Sequence, residues 1–240
     1  MWIRSLKLRK KAQFENFYRN YRCELCKREV FDDSYFCEAC RAKLPYVGKY
    51  VCPLCGRKTF EGAGICLECK AHAPIYARAR SPFVYEGEIR RLLLGMKRGK
   101  RYLSVLFGRE MVPLVASFPH IDALLPVPVT ERALRRRGYN QAELLADYLS
   151  ERSGIPCDSA LLVKRREGKE QKGLSKSERR KNVRGIYAVS DRKSCRGKNF
   201  LLIDDVMTTG STADELTRVL LAAGARRVYL LTAASTPLKD

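Results

Sequence analysis

Beyond residue 75 the apolar positions fall into short continuous runs and helix-spaced stripes that alternate along the chain. Residues 81–85 predict a short strand, and Ile89, Leu92, Leu93 and Met96 recur at helical spacing, predicting a helix over 88–96. A second helix is expected over about 102–115, closing near Pro119. Residues 121–128 (IDALLPVP) read as a buried strand halted by its prolines. Asn140 is placed to cap a helix reaching about residue 151, with Leu144, Leu145, Tyr148 and Leu149 on one face. Strands are expected at 160–163, 186–189 and 199–204. A helix follows over 211–223, closed by Gly224, and a last strand covers 227–232. From residue 121 the order is therefore β-α-β-loop-β-β-α-β. Strands that are apolar throughout, separated by helices, imply a mostly parallel sheet covered on both faces, an α/β fold.

Cysteine spacing changes the picture of the N-terminal third. Eight of the ten cysteines lie between Cys23 and Cys69. Cys23-x2-Cys26 and Cys37-x2-Cys40 are ten residues apart, and Cys52-x2-Cys55 and Cys66-x2-Cys69 repeat that unit. The basic N-terminus lacks the apolar run of a secretory signal, and no segment is long and apolar enough to span a bilayer, so a cytoplasmic location is expected. Reduced cytosolic thiols disfavour disulfides, and two Cys-x2-Cys knuckles supply the four tetrahedral thiolates zinc requires. Four cysteines leave no open coordination position, so two structural zinc ions are expected. An iron–sulfur cluster or labile thiols are the alternatives, and sequential and crossed pairing of the knuckles are both open. His72 reads as a surface residue, and Cys157 and Cys195 as packing residues. The expected organisation is a basic segment over 1–22, a double zinc ribbon over 23–74 and an α/β domain over 75–240.

The formal net charge is +21, which favours a polyanionic partner. Positive charge concentrates at 90–101, at Arg132, Arg135, Arg136 and Arg137, and at 164–184, where ten Lys/Arg face three acids. These segments suit phosphates of single-stranded nucleic acid or a departing pyrophosphate, and each alone also reads as a solvated helix face. Tyr102 and Tyr139 beside them offer rings for base stacking.

The segment 201–212 (LLIDDVMTTGST) carries the most specific chemistry. An apolar strand ends in Asp204-Asp205, and a turn rich in hydroxyls opens a helix. Consecutive backbone amides and a helix start hold a phosphate dianion, and Gly210 lets the backbone approach it. Paired carboxylates suit a ribose diol, or a magnesium ion and its waters. Neither the P-loop nor the Gly-x-Gly-x2-Gly pattern is present.

This segment resembles the motif with which type I phosphoribosyltransferases bind phosphoribosyl pyrophosphate (PRPP). Together with 125–129 (LPVPV), 137–142 (RGYNQA), 171–175 (QKGLS), 179–185 (RRKNVRG) and the paired ribbons, it resembles the ComF family of competence proteins. The resemblance implies the type I phosphoribosyltransferase fold behind a zinc ribbon, and a role in handling imported single-stranded DNA beside a helicase partner. It implies that Asp204 and Asp205, the catalytic candidates, hold the ribose hydroxyls. It also implies that Val206, Met207, Thr208, Thr209, Gly210, Ser211 and Thr212 bind PRPP, with the Thr208–Thr212 backbone holding the 5′-phosphate, and that Val127, Pro128 and Val129 sit at the pyrophosphate, with magnesium. Residues 166–184 match a loop that closes over substrate, and Arg136, Arg137, Lys172, Arg179, Arg180 and Lys181 are the candidate contacts to pyrophosphate or nucleic acid. Phosphoribosyl transfer to an unnamed acceptor is one expected activity. An inactive module that binds DNA and docks its helicase through the ribbons is the other, and a sensor of PRPP is a third.

Overall fold

The computed structural model describes residues 22–30, 35–165 and 185–238, which fall into two compact units, Met1–Leu44 and Pro45–Asp240. In the first unit, the antiparallel bridge Arg22↔Glu29 closes a knuckle, and Cys37 starts a short helix, Glu38–Arg41. The same design recurs in the second unit, with the bridge Val51↔Lys58 and a short helix, Leu67–Ala71, that starts after Cys66. The repeat seen in the sequence is thus a structural repeat. Its two copies nevertheless belong to different packing units, so the packing division falls at residue 44, inside the span of the metal motif.

The second unit is built on a parallel sheet. Its strands are β1 (Ala79–Arg80), β2 (Phe83–Val84), β3 (Ala123–Pro126), β6 (Asn199–Met207) and β7 (Arg227–Ser235), in the order β1-β7-β6-β3, with β2 also pairing β7. The expected strand at 81–85 is interrupted, and Ser81-Pro82 separates two short stretches that share one edge of β7; proline has no amide to give a ladder. Strands β4 (Leu162–Lys164) and β5 (Tyr187–Val189) leave the main sheet and pair antiparallel as a separate ribbon.

Beside the short ribbon helix Leu67–Ala71, the described residues of this unit form five further α-helices, four of which match the apolar stripes. These four are α1 (Gly87–Lys97), α2 (Leu103–Val115), α4 (Gln141–Ser153) and α5 (Ser211–Ala222). Ile89, Leu92, Leu93 and Met96 are all buried on α1, as their spacing required. The remaining helix, α3 (Glu131–Arg137), has no apolar stripe and was not expected from the pattern. Thr130 caps it by accepting from the Ala133 amide at 3.1 Å, and Gly138 ends it in a left-handed conformation. Its three arginines lie in the last turn, where the helix dipole favours cations.

The core runs through Leu124 and Leu125 of β3, Leu201, Leu202 and Ile203 of β6, and Leu230 and Leu231 of β7. The cysteines Cys52, Cys55, Cys66 and Cys69 are buried in the same hydrophobic cluster as Leu125, Leu202 and Leu230. The second ribbon is therefore part of the α/β body. No helix among the described residues is long and apolar enough to cross a membrane.

Candidate functional site

Strands β3 and β6 run parallel with Pro126 opposite Ile203, and the Val127 amide donates to the Ile203 carbonyl at 2.9 Å. The turn Val127-Pro128-Val129 therefore leaves the sheet beside Asp204 and Asp205, at the carboxyl edge where open α/β sheets hold ligands. Asn140 stabilises this corner twice. Its side chain caps α4 by accepting from the Ala142 amide at 3.1 Å, and its amide nitrogen donates to the Val127 carbonyl at 3.0 Å.

The two carboxylates occupy successive strand positions, and the Asp205 amide donates to Asp204 Oδ1 at 2.8 Å. They are electrostatically distinct. Asp205 is buried, and Lys97 Nζ at the end of α1 lies 2.6 Å from its Oδ2. Burial acts to lower the Lys97 pKa, but the Asp205 charge outweighs it and holds the ammonium above its ordinary value. Asp204 is half-buried. Burial first, and then the Asp205 charge, push its pKa up to about 8, with Lys97 offsetting part of the rise. This environment thus favours the protonated form of Asp204. Tyr187 of β5 faces the same corner, where burial and the Asp204 charge raise its pKa.

Strand β6 continues three residues past the expected end, because the ladder with β7 extends to Val206↔Ala234 and Met207↔Ser235. Val206 and Met207 are therefore strand residues rather than loop residues. The turn proper is Thr208-Thr209-Gly210, followed by Ser211 and Thr212 at the start of α5. Gly210 has φ 79° as the residue before the first helical turn; left-handed backbone there favours glycine. Thr209 Oγ1 and Ser211 Oγ lie 2.9 Å apart, and the Ser211 amide donates to Thr209 Oγ1 at 3.4 Å. The amides of Thr209, Gly210 and Thr212 find no acceptor among the described residues. A turn of unpaired N–H groups at a helix start is an anion cradle.

Of the candidate cationic contacts, Arg136 lines an open groove of about 760 Å³ with Thr130, Glu131, Arg132, Arg135, Lys164 and Arg165. This groove begins one residue after Val129. Arg137 donates to Gln141 Oε1 at 3.2 Å and so bridges α3 to α4. Lys172, Arg179, Arg180 and Lys181 lie outside the described residues. Tyr139 is not available for stacking: it is buried, Arg101 covers its ring at 4.4 Å, and its hydroxyl donates to the Met96 carbonyl. Lys97 was visible only as one of six cations at 90–101, and no local pattern distinguished it as the partner of Asp205.

Two groups of thiols come together. In Cys23, Cys26, Cys37 and Cys40, and in Cys52, Cys55, Cys66 and Cys69, the four sulfurs of each group lie within 4.8 Å of one another. The pairing is sequential. The Sγ–Sγ separations of Cys26–Cys37 and Cys55–Cys66 are 3.6 and 3.8 Å. Zinc–sulfur bonds of about 2.3 Å imply a tetrahedral edge of about 3.8 Å, so the thiols fit that ion, and four sulfurs per site make its role structural.

Comparison with known proteins agrees with this architecture. Residues 18–70 match the double zinc ribbon domain and residues 133–238 the phosphoribosyl transferase domain. The chain thus has the type I phosphoribosyltransferase fold, an α/β body with a parallel sheet flanked by helices, behind a double zinc ribbon. It is a homologue of Competence protein F of Haemophilus influenzae, with 34% identity over 110 residues, which cover 45% of this chain and 48% of that protein. DNA utilization protein YhgH of Escherichia coli O157:H7 is 34% identical over 128 residues, 53% of this chain and 54% of that protein. The chain spans about half the length of these curated relatives. Among solved structures, glutamine PRPP amidotransferase from B. subtilis, complexed with ADP and GMP, aligns at 23% identity with a TM-score of 0.38. That alignment covers 54% of this chain and 26% of that one.

Proposed function

We propose that the chain binds PRPP with magnesium at the end of β6 and acts in the uptake or processing of single-stranded DNA during natural transformation. The observation that carries this reading is the turn Thr208–Thr212, where the amides of Thr209, Gly210 and Thr212 have no acceptor among the described residues, beside the Asp204-Asp205 pair and Lys97. The turn takes the 5′-phosphate, and Asp204 and Asp205 take the ribose hydroxyls. Val127-Pro128-Val129 and the arginine groove beyond Thr130 face the pyrophosphate, whose departure positive charge assists. Magnesium, when bound, neutralises phosphate charge and keeps several of its waters. The names of the relatives, a competence protein and a DNA utilization protein, support the link to DNA.

Titration calorimetry with PRPP and magnesium tests the site. Saturable binding that Asp204→Ala and Asp205→Ala abolish supports the reading, and absence of heat with either PRPP or ribose 5-phosphate refutes it. A second reading, a DNA-binding adaptor that docks a helicase, is favoured by the apolar surface of the second ribbon, where Phe60 and Leu67 are 76% and 81% exposed. It predicts salt-dependent single-stranded DNA binding that is indifferent to the two aspartates, and helicase capture lost in Leu67→Ser.

A further inference from the structure

Arg57 sits in the knuckle of the second ribbon and is only 4% exposed. Its backbone is held by the metal-binding turn, because its carbonyl accepts from the Cys52 amide at 2.9 Å. Its guanidinium joins two other elements. Nη1 donates to Glu68 Oε2 at 2.8 Å, and Nη2 donates to the carbonyl of Thr208, the first residue of the anion turn. Glu68 itself stands between the ligands Cys66 and Cys69 on the short helix of that ribbon. A buried arginine is costly unless its charge is matched, and here one arm is matched by Glu68 while the other is spent on a neutral carbonyl of the turn. Nε has no hydrogen-bond partner among the described residues.

Three more contacts join the same elements. The Tyr76 hydroxyl donates to Met207 Sδ at 3.4 Å and packs so closely on Gly210 that a Cβ there would lie 3.2 Å from it. The Ile75 amide donates to Asp214 Oδ1 at 2.7 Å, in the first turn of α5. Behind them the knuckle is pressed onto the edge of the sheet. The Ala79 amide donates to the Leu54 carbonyl at 2.7 Å, and a Cβ at Gly56 would stand 2.2 Å from the Ala79 carbonyl oxygen. The ribbon and the two residues Ile75 and Tyr76 that follow it therefore grip the turn before it, within it and after it, and the ribbon is itself fixed to β1.

We infer that Arg57 is a positioning residue for the phosphate site, through which the second zinc ribbon sets the conformation of the Thr208–Thr212 turn. The inference rests on the phosphate-binding reading of that turn. A peptide unit can rotate, and rotation of the Thr208–Thr209 peptide would swing its carbonyl toward the anion and its amide away. A charged donor on the Thr208 carbonyl opposes that rotation, because hydrogen bonds to ionised groups are the stronger ones. The neutral hydroxyl of Thr236, which donates to the same oxygen at 3.1 Å, is the weaker of the two restraints. Preorganised amides bind an anion without first being turned to face it.

The test compares wild type, Arg57→Ala, Arg57→Lys and Glu68→Gln by calorimetry with PRPP and magnesium and with ribose 5-phosphate alone, alongside zinc content and single-stranded DNA affinity. Arg57→Ala is expected to weaken both phosphate ligands at least 10-fold while zinc stays at two ions per chain and DNA affinity is unchanged. Arg57→Lys should recover part of the loss, since lysine keeps the charge without the fork that reaches both acceptors. If Arg57→Ala loses zinc or fails to fold, Glu68→Gln decides, with an expected weakening of about threefold. Wild-type affinity in Arg57→Ala, or in Glu68→Gln where the alanine variant fails, overturns the inference while leaving the phosphate site standing. Absence of binding by the wild-type protein overturns the phosphate site itself.

Discussion

Asparagine at position 204 is the sharpest perturbation of the acidic pair, because it keeps the shape of the side chain and removes its titration. Asp204 has its pKa raised by burial and by the Asp205 charge from 3.8 to about 8. Between those values the folded chain holds a proton that the unfolded chain has released. The contribution of this group to stability is therefore fullest below about pH 4 and is lost as pH rises toward 8, by about 1.4 kcal/mol per unit for one proton. The amide of the variant holds no such proton, so the stability of Asp204→Asn relative to wild type should grow by that slope. From pH 5 to pH 7 the difference is about 3 kcal/mol. In a body of 150–250 residues, that corresponds to roughly 6–12 °C in Tm. The assay is thermal and urea unfolding of both proteins at pH 5, 6, 7 and 8, at constant ionic strength, in magnesium-free buffer containing zinc. Subtracting the two proteins cancels the titrating groups that lie away from Asp204. A pH-independent difference, or a variant that becomes relatively less stable as pH rises, would show that Asp204 is already ionised in the fold and refute the argument. The same variant should bind PRPP poorly, since a stabilised pocket here is a disarmed one.

Other perturbations address the surrounding supports. Lys97→Met leaves the buried Asp205 carboxylate without its cation and should destabilise the fold by about 1–3 kcal/mol, with the double variant Lys97→Met/Asp205→Asn recovering most of that in urea unfolding. Gly210→Ala places a Cβ on left-handed backbone and against Tyr76; a loss of about 1–2 kcal/mol by thermal unfolding is expected, together with weaker ribose 5-phosphate binding by calorimetry. Asn140→Ala removes a helix cap and the tether on the Val127 carbonyl at once; unfolding experiments should show a loss of about 1–2 kcal/mol. Cys69→Ser should reduce bound zinc, read by a chromophoric chelator, and lower Tm, because its tetrad is buried within the core of the α/β body.

The parts of this molecule that were legible in its sequence are those whose cause is local. Four Cys-x2-Cys pairs at matched spacing announce two tetrads, and the fold brings each set of sulfurs within 4.8 Å. The continuous apolar run at 199–204 announced β6, and the hydroxyl-rich turn after it announced a helix start. What escaped was set by distant partners. The extra length of β6 comes from pairing with β7, and nothing in Val206 or Met207 alone distinguishes a strand from a loop. Lys97 meets Asp205 across 108 positions, and Arg57 meets Thr208 across 151. Neither side chain differs in composition from the many other cations of this chain. Helix α3 was missed because it lacks an apolar face and rests on a threonine cap.

The burial of the second tetrad in the cluster that carries β6 gives the metal a use beyond holding the chain together. Cobalt exchanged into those four thiolates brings visible absorption bands that respond to small changes in ligand geometry. Because Arg57 links that knuckle to the anion turn, seating a sugar phosphate at the far end of the arginine should tint the spectrum. The protein would then report its own occupancy by colour, with no label attached.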